Sequence, residues 1–220
     1  MIYLQLGTSR LEYLPDNVLE EFIKPCWVHL GDPEPPPEWA SKMKHWVKRT
    51  LQLERKLKRS KINCHFEPFF WQKSCRLPFS DKEVTFVFSE HFFEHLFMDE
   101  GYELFKEIHR ILCSGGVCRT VVPDADLRNK PESIGFPSRQ MSWTHPDKHK
   151  TRWNVYSLTF ILKLAEFQVF PVRFLDREGN EHNYCNKLSL RSIINPEAFG
   201  IVSRIDYIIR PSSLIIDAVK

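Results

Sequence analysis

Short runs of apolar residues alternate along the chain with longer segments in which apolar residues recur at helical spacing. The continuous runs predict buried strands, and the spaced segments predict helices that turn one face to a core. The predicted strands cover residues 2–6, 27–30, 62–66, 84–88, 117–122, 169–175 and 214–219. Helices are predicted at 16–23, at about 39–60, over a segment from Phe105 that stops at Ser114, and at 157–167.

This alternation of strands and helices is typical of a parallel sheet that is covered on both faces. It predicts an α/β, doubly wound fold in which residues 1–220 form a single domain. The polar, proline-containing segment 125–153 has no clear pattern and is interpreted as a lid or acceptor segment. Ligands of such folds bind outside the carboxyl ends of the strands, so the residues that follow each strand are the candidates for a site.

Composition and charge narrow the class of protein. No apolar stretch is long enough for a transmembrane helix and no signal peptide is apparent, so a cytoplasmic location is expected. Residues 42–61 hold nine of the 31 basic residues and a single acid, so the net charge of +3 comes from one block. We interpret this block as a solvated helix face, with weak contact to an anionic membrane surface as an alternative. Nucleic-acid binding is not expected, because no base-stacking aromatic pattern accompanies the charge.

Several ordered motifs resemble the class I S-adenosylmethionine-dependent methyltransferases. They are LPFSD at 77–81, VTFVFSEHFFEHL at 84–96, RILCSGGV at 110–117 and VVPD at 121–124. The closing SLIIDAVK at 213–220 resembles the last strand of a predicted methyltransferase subgroup associated with surface-polysaccharide synthesis. The resemblance implies a Rossmann-like, seven-stranded sheet whose last strand is antiparallel, with S-adenosylmethionine across the first four strands.

The resemblance also implies cofactor-binding residues after each of those four strands. They are Gly7, Thr8, Asp32, Gln72, Ser89 and Glu90. The chain departs from the family at three of these places. The loop after the first strand has a single glycine. After the second strand, Gly31 occupies the position where the family has an acid, and Asp32 comes one residue later. After the third strand, Gln72 or Lys73 occupies the position where the family often has an acid near the adenine.

Methyl transfer is an in-line displacement that needs a positioned acceptor, with one general base where that acceptor is a hydroxyl or an amine. His91 follows the fourth strand, and an imidazole side chain is suited to act as that base, although a packed structural histidine has the same pattern. Asp124 ends the fifth strand, where it would orient a sugar hydroxyl or cap a turn. Residues His145, His149 and Tyr156 are candidates to line the acceptor pocket.

The sequence from His91 to His95 also fits H-x-x-E-H, the inverted zinc-peptidase motif, if the two histidines share one helix. The motif fixes only three positions and no third ligand is indicated, so we expect no metal.

Together these patterns predict a methyltransferase that acts on a small-molecule or carbohydrate acceptor, in surface-polysaccharide synthesis. The alternative is a catalytically degenerate methyltransferase fold that serves as a binding or scaffold protein. A pocket that binds another nucleotide-like ligand is a third hypothesis, and the fold alone does not choose among the three functions.

Overall fold

Strands from the whole length of the chain meet in one mixed sheet. The computed structural model describes residues 1–7, 20–31, 66–126, 148–183, 191–204 and 213–220. The predictions for Thr8, Asp32, the helix at about 39–60 with its basic block at 42–61, His145 and most of the 125–153 segment lie outside these residues.

Within the described residues, eight strands form the sheet, in the order β3-β2-β1-β4-β5-β8-β6-β7. They are β1 (Ile2–Leu6), β2 (Trp27–Leu30), β3 (Phe66–Glu67), β4 (Val84–Glu90), β5 (Leu112–Pro123), β6 (Gln168–Leu175), β7 (Glu181–Asn183) and β8 (Ser213–Val219). The first five are parallel, whereas β8 is antiparallel to both of its neighbours. The predicted doubly wound sheet with an antiparallel last strand is confirmed, and the unpredicted β7 adds a three-residue strand at one edge.

Helices cover both faces of this sheet. On one face, α1 (Met98–Ile111) and α2 (Val155–Leu164) bury an apolar cluster with strand residues such as Leu4 and Val87. On the other face, α3 (Pro196–Arg204) packs on residues such as Phe86 and Val117. The sequence did not predict α3, because only Ala198, Ile201 and Val202 are its buried apolar residues. Within the described ranges, no helix has the length and apolarity needed to cross a membrane.

The junction between α1 and β5 differs from the prediction. The helix ends at Ile111, and Leu112 is already extended and paired with Val84, five residues before the predicted strand. Residues 113–116 leave the ladder, and the pairing with β4 resumes at Val117. Gly115 permits this bulge, because its φ is +71° and a Cβ there would lie 2.7 Å from a backbone nitrogen of Asn195.

The LPFSD motif at 77–81 has a structural role. The Arg110 guanidinium donates to the carbonyls of Leu77 and Phe79 and to the carboxylates of Asp81 and Glu107. Glu107 in turn accepts the backbone N–H of Leu77 at 3.2 Å. This network fastens the loop before β4 to the last turn of α1.

Candidate active site

The carboxyl ends of the five parallel strands share one edge of the sheet with the amino end of β8. Ser213, the first residue of β8, pairs with Pro123 at the end of β5. The predicted site residues that the structure describes at this edge are Gly7, Ser89, Glu90, His91 and Asp124. Because they end neighbouring strands, the fold brings them together as the sequence predicted.

Gly7 turns the chain at the end of β1. Its φ of +87° is a left-handed conformation that favours glycine, and its N–H donates to the Leu30 carbonyl at 2.8 Å. A Cβ at this position would lie 3.0 Å from the Cβ of Phe92. The glycine is therefore required by the backbone turn and by the close approach of Phe92.

An acid that the sequence reasoning missed lies at the end of β3. Glu67 is the last residue of this strand, its side chain is exposed, and its carbonyl accepts the N–H of Gly31 at 3.0 Å. Gln72 lies five residues further on in an exposed turn, where its carbonyl accepts the N–H of Cys75. The sequence could have indicated Glu67, because the predicted strand ended at Phe66, immediately before this acid.

Two polar residues end β4 inside the protein. Ser89 is fully buried, and its Oγ has no hydrogen-bond partner among the described residues. Glu90 is 5% exposed and takes part in further polar contacts. Buried polar groups are almost always hydrogen-bonded, so the Ser89 hydroxyl at a strand end fits a position that contacts a bound group.

His91 follows Glu90 in a strained conformation. Its φ is +50°, and its N–H donates to the Val121 carbonyl at 2.8 Å, which holds the turn against β5. Its Nδ1 lies 3.0 Å from Oε1 of Glu94, and its Nε2 lies 3.4 Å from the Ser213 hydroxyl. The side chain is 25% exposed, so the ring is oriented on both sides and still reaches solvent. Its role as a general base stays a prediction.

Asp124 is occupied by backbone contacts. Its Oδ2 accepts the N–H of Leu175 at 2.8 Å, and its Oδ1 accepts the N–H of Asp126 at 3.0 Å. Burial raises the pKa of the carboxyl, and these two hydrogen bonds oppose that rise. The geometry supports the turn-capping role and ties the end of β5 to the end of β6, whereas the sugar-orienting role gains no support from it.

A buried polar pair lies behind this edge, between β1 and β2. The ring of His29 has Nδ1 2.6 Å from the side-chain oxygen of Gln5 and Nε2 3.0 Å from the Phe22 carbonyl. Burial lowers the pKa of His29, so the neutral ring donates through Nε2 and accepts through Nδ1. The Gln5 side chain fits this arrangement when its amide oxygen and nitrogen exchange places. The buried Nε2 of Gln5, which lacks a hydrogen-bond partner among the described residues, then donates to Nδ1 of His29.

His91 and His95 do not share a helix, as the zinc-peptidase motif would require. His91 lies outside any helix, residues Phe93–His95 form a 3-10 turn, and α1 begins only at Met98. The structure adds a third side chain that the sequence pattern did not indicate, because His149 lies beside His95 and Glu94. No local spacing could have shown this, since more than fifty residues separate His149 from the turn.

Comparison with known proteins identifies the fold. A family model described as a methyltransferase domain matches residues 43–120, about a third of the chain. No curated protein sequence matches. A solved S-adenosylmethionine-dependent methyltransferase from Archaeoglobus fulgidus has a TM-score of 0.53 and 19% identity, covering 99% of this chain and 85% of that one.

Two further solved structures, both of longer chains, are similar to this chain to a comparable degree. One, described as PigF with SAH, has a TM-score of 0.51 and 11% identity, covering 100% of this chain and 56% of that one. The other is the DszA carbon methyltransferase, with a TM-score of 0.50 and 11% identity, covering 100% of this chain and 47% of that one. With the strand order, these similarities show that the chain has the class I methyltransferase fold.

Proposed function

We propose that this protein is a methyltransferase that binds S-adenosylmethionine across the carboxyl ends of β1 to β4. The observation that carries the proposal is the buried Ser89 hydroxyl, which lies at the ligand edge of a methyltransferase fold without a partner among the described residues. The methyltransferase family model that matches residues 43–120 supports the same function.

The described residues fit such a cofactor in three places. The turn at Gly7 brings backbone to the edge, Ser89 offers a hydroxyl, and Glu67 offers an exposed carboxylate in the position that we expected of Gln72. In the resembling family an acid after the third strand lies near the adenine, and we assign that contact to Glu67. When bound, the cofactor supplies a sulfonium methyl group, which is the electrophile.

We further propose that His91 removes the proton of the acceptor. A ring whose Nδ1 faces the buried carboxylate of Glu94 is held in one orientation, and the positive charge formed on proton uptake is stabilised there. The other nitrogen, Nε2, is then the one that takes the proton, and it lies near the start of β8.

For the acceptor we propose a small molecule or carbohydrate, such as an intermediate of surface-polysaccharide synthesis. The resemblance of residues 213–220 supports this choice.

The rival function is a binding or scaffold protein that has lost catalysis. The position of Phe92 favours it, since this ring lies against Gly7, where the fold expects the cofactor to approach the backbone. Phe92 also stacks on Phe69, with 6.3 Å between ring centroids, so two aromatic side chains occupy this part of the edge.

Calorimetric titration of the full chain with S-adenosylmethionine and S-adenosylhomocysteine separates the two functions. Micromolar binding, about −8 kcal/mol, is expected for the enzyme. Ser89→Ala should weaken it about 3- to 10-fold, the worth of one neutral hydrogen bond. Ser114→Ala is the matched control, because that exposed serine lies in the bulge at the opposite end of β5. No binding at millimolar ligand would support the scaffold function.

Transfer assays with nucleotide sugars and polysaccharide intermediates then test the acceptor class. His91→Ala should lower the transfer rate while leaving S-adenosylhomocysteine binding intact. Transfer at the full rate by this variant would remove His91 from the role of base.

A further inference from the structure

Three side chains with metal-binding atoms converge just beyond the end of β4. Glu94 and His95 belong to the 3-10 turn (Phe93–His95), and His149 approaches from the segment that precedes α2. One ligand atom from each side chain lies within 4.8 Å of the other two. The His95 and His149 rings meet edge to face, with 5.0 Å between their centroids.

The Glu94 carboxylate is the unusual member of this group. Its side chain is 2% exposed, and neither oxygen accepts a hydrogen bond from the described residues. His91 Nδ1 lies 3.0 Å from one oxygen, within ion-pair distance but without hydrogen-bond geometry. A carboxylate is costly to bury unless a cation or hydrogen bonds compensate it, so this group is suited to a positive ligand.

The backbone around the cluster is held in place. The carbonyl of Glu94 accepts the N–H groups of Lys150 and Thr151, at 2.8 and 3.1 Å. The Thr151 hydroxyl donates to the Leu96 carbonyl at 2.7 Å, and the Trp153 indole donates to the Phe93 carbonyl at 3.2 Å. These bonds fix the segment that carries His149 against the turn that carries the other two side chains.

We propose that Glu94, His95 and His149 bind a divalent transition-metal ion, and Zn²⁺ in particular. Two imidazoles and one carboxylate are a ligand set of zinc sites that keep an open coordination position. Bonds of about 2.0–2.1 Å in a tetrahedral site place the ligand atoms about 3.4 Å apart, so rotations of these side chains are enough to close the cluster. The half-exposed histidines give the ion access from solvent.

His91 belongs to this site as a positioning residue. Carboxylates that bind metals are held by further polar groups, which orient them. His91 is the side chain placed to do this for Glu94. The proposal does not depend on methyl transfer, because metal binding is measured directly.

The test uses the full chain, freed of metal by a chelator and titrated with Zn²⁺ by calorimetry and with Co²⁺ by visible absorption. One ion per chain, a sub-micromolar dissociation constant for Zn²⁺ and visible Co²⁺ bands are expected. Loss of an outer contact costs 10- to 100-fold in affinity, so removal of a ligand by His149→Gln should cost about 100-fold or more.

His182→Gln is the matched control and should bind Zn²⁺ as the wild type does. His182 is also half-buried and lies 2.8 Å from a carboxylate, that of Asp176, but it is not part of the three-ligand group. Circular dichroism reports whether each variant folds, and Glu94→Gln replaces His149→Gln if the latter does not. Failure of the wild type to bind Zn²⁺, or equal affinity in the wild type and the folded ligand variants, would overturn the proposal.

Discussion

The ion pair between β5 and β8 offers a sharp test of the packing beneath α3. Arg119 lies directly opposite Asp217 in the antiparallel ladder, and two parallel hydrogen bonds of 2.7 Å join them. The side chains are 3% and 0% exposed, and apolar residues such as Val117 and Ile215 flank them on the same face of the sheet.

Asp217→Ala leaves the guanidinium of Arg119 buried without its carboxylate. Breaking a buried pair in this way costs about 3–5 kcal/mol in the free energy of unfolding. For a chain of this size, that loss corresponds to a fall in Tm of about 6–20 °C. Replacing both residues, as in Arg119→Met with Asp217→Leu, should recover most of the loss, because apolar side chains of similar volume fit such sites.

Urea unfolding, followed by tryptophan fluorescence at pH 7, measures these differences. Glu181→Ala is the matched control, since Glu181 pairs with Arg173 at 2.7 Å but is 42% exposed. Breaking this surface pair should cost less than about 1 kcal/mol. High salt should weaken the surface pair only, because buried charges are poorly screened.

Two outcomes would refute this reasoning. A loss below about 1 kcal/mol in Asp217→Ala would mean that water or the further contacts of Arg119 compensate its charge in solution. Losses in Arg119→Met and in Asp217→Leu that simply add in the double variant would mean that Arg119 and Asp217 do not interact energetically.

Two further predictions concern single positions in or beside the first two strands. Gly7→Ala should lower the free energy of unfolding by about 1–3 kcal/mol, because a left-handed residue with a Cβ is strained and that Cβ would press on Phe92. Gly101→Ala, in a helix with ordinary contact distances of 3.6 Å or more, should be neutral or stabilising in the same urea assay. Burial lowers the pKa of His29 below 6.5, so the unfolded chain binds the proton more readily. Stability should therefore decline as the pH falls below about 6.5. His29→Gln should flatten part of this decline between pH 7 and pH 5, and an unchanged slope would contradict the assignment.

Much of the sheet was predictable because its strands are mostly apolar runs. Residues 2–6, 27–30 and 84–88 are buried at nearly every position, so their sequences differ clearly from the connections around them. α1 was predictable for a related reason, since Leu104, Phe105 and Ile108 repeat at helical spacing on one buried face.

The unpredicted elements have weak local signals. β7 has three residues, none of them apolar, and it exists because its backbone pairs with β6. β5 begins five residues early because Leu112 can pair with Val84 before the chain bulges through residues 113–116. In both places long-range pairing decides the structure, and such pairing has no periodicity in the sequence.

The candidate site was predictable as an edge but not as a set of contacts. The rule that ligands bind at the ends of parallel strands predicted that Gly7, Ser89 and His91 lie at one edge, as the structure shows. The same rule does not predict contacts between segments that are distant in the sequence. Only the folded chain shows that Leu175 engages Asp124, and that His149 lies beside the turn that carries Glu94.

The segment from Ser89 to His95 shows why its motif is long and ordered. Phe92 covers Gly7, and Phe93 stacks on Phe105 with 4.0 Å between ring centroids. His91 and Glu94 face each other, while the Ser89 hydroxyl lacks a partner among the described residues. Each side chain thus has a different neighbour, so a substitution at any position would disturb a different part of the edge. A motif that combines packing with candidate binding residues is therefore constrained at nearly every residue, in a chain that departs from the resembling family at the ends of its first three strands.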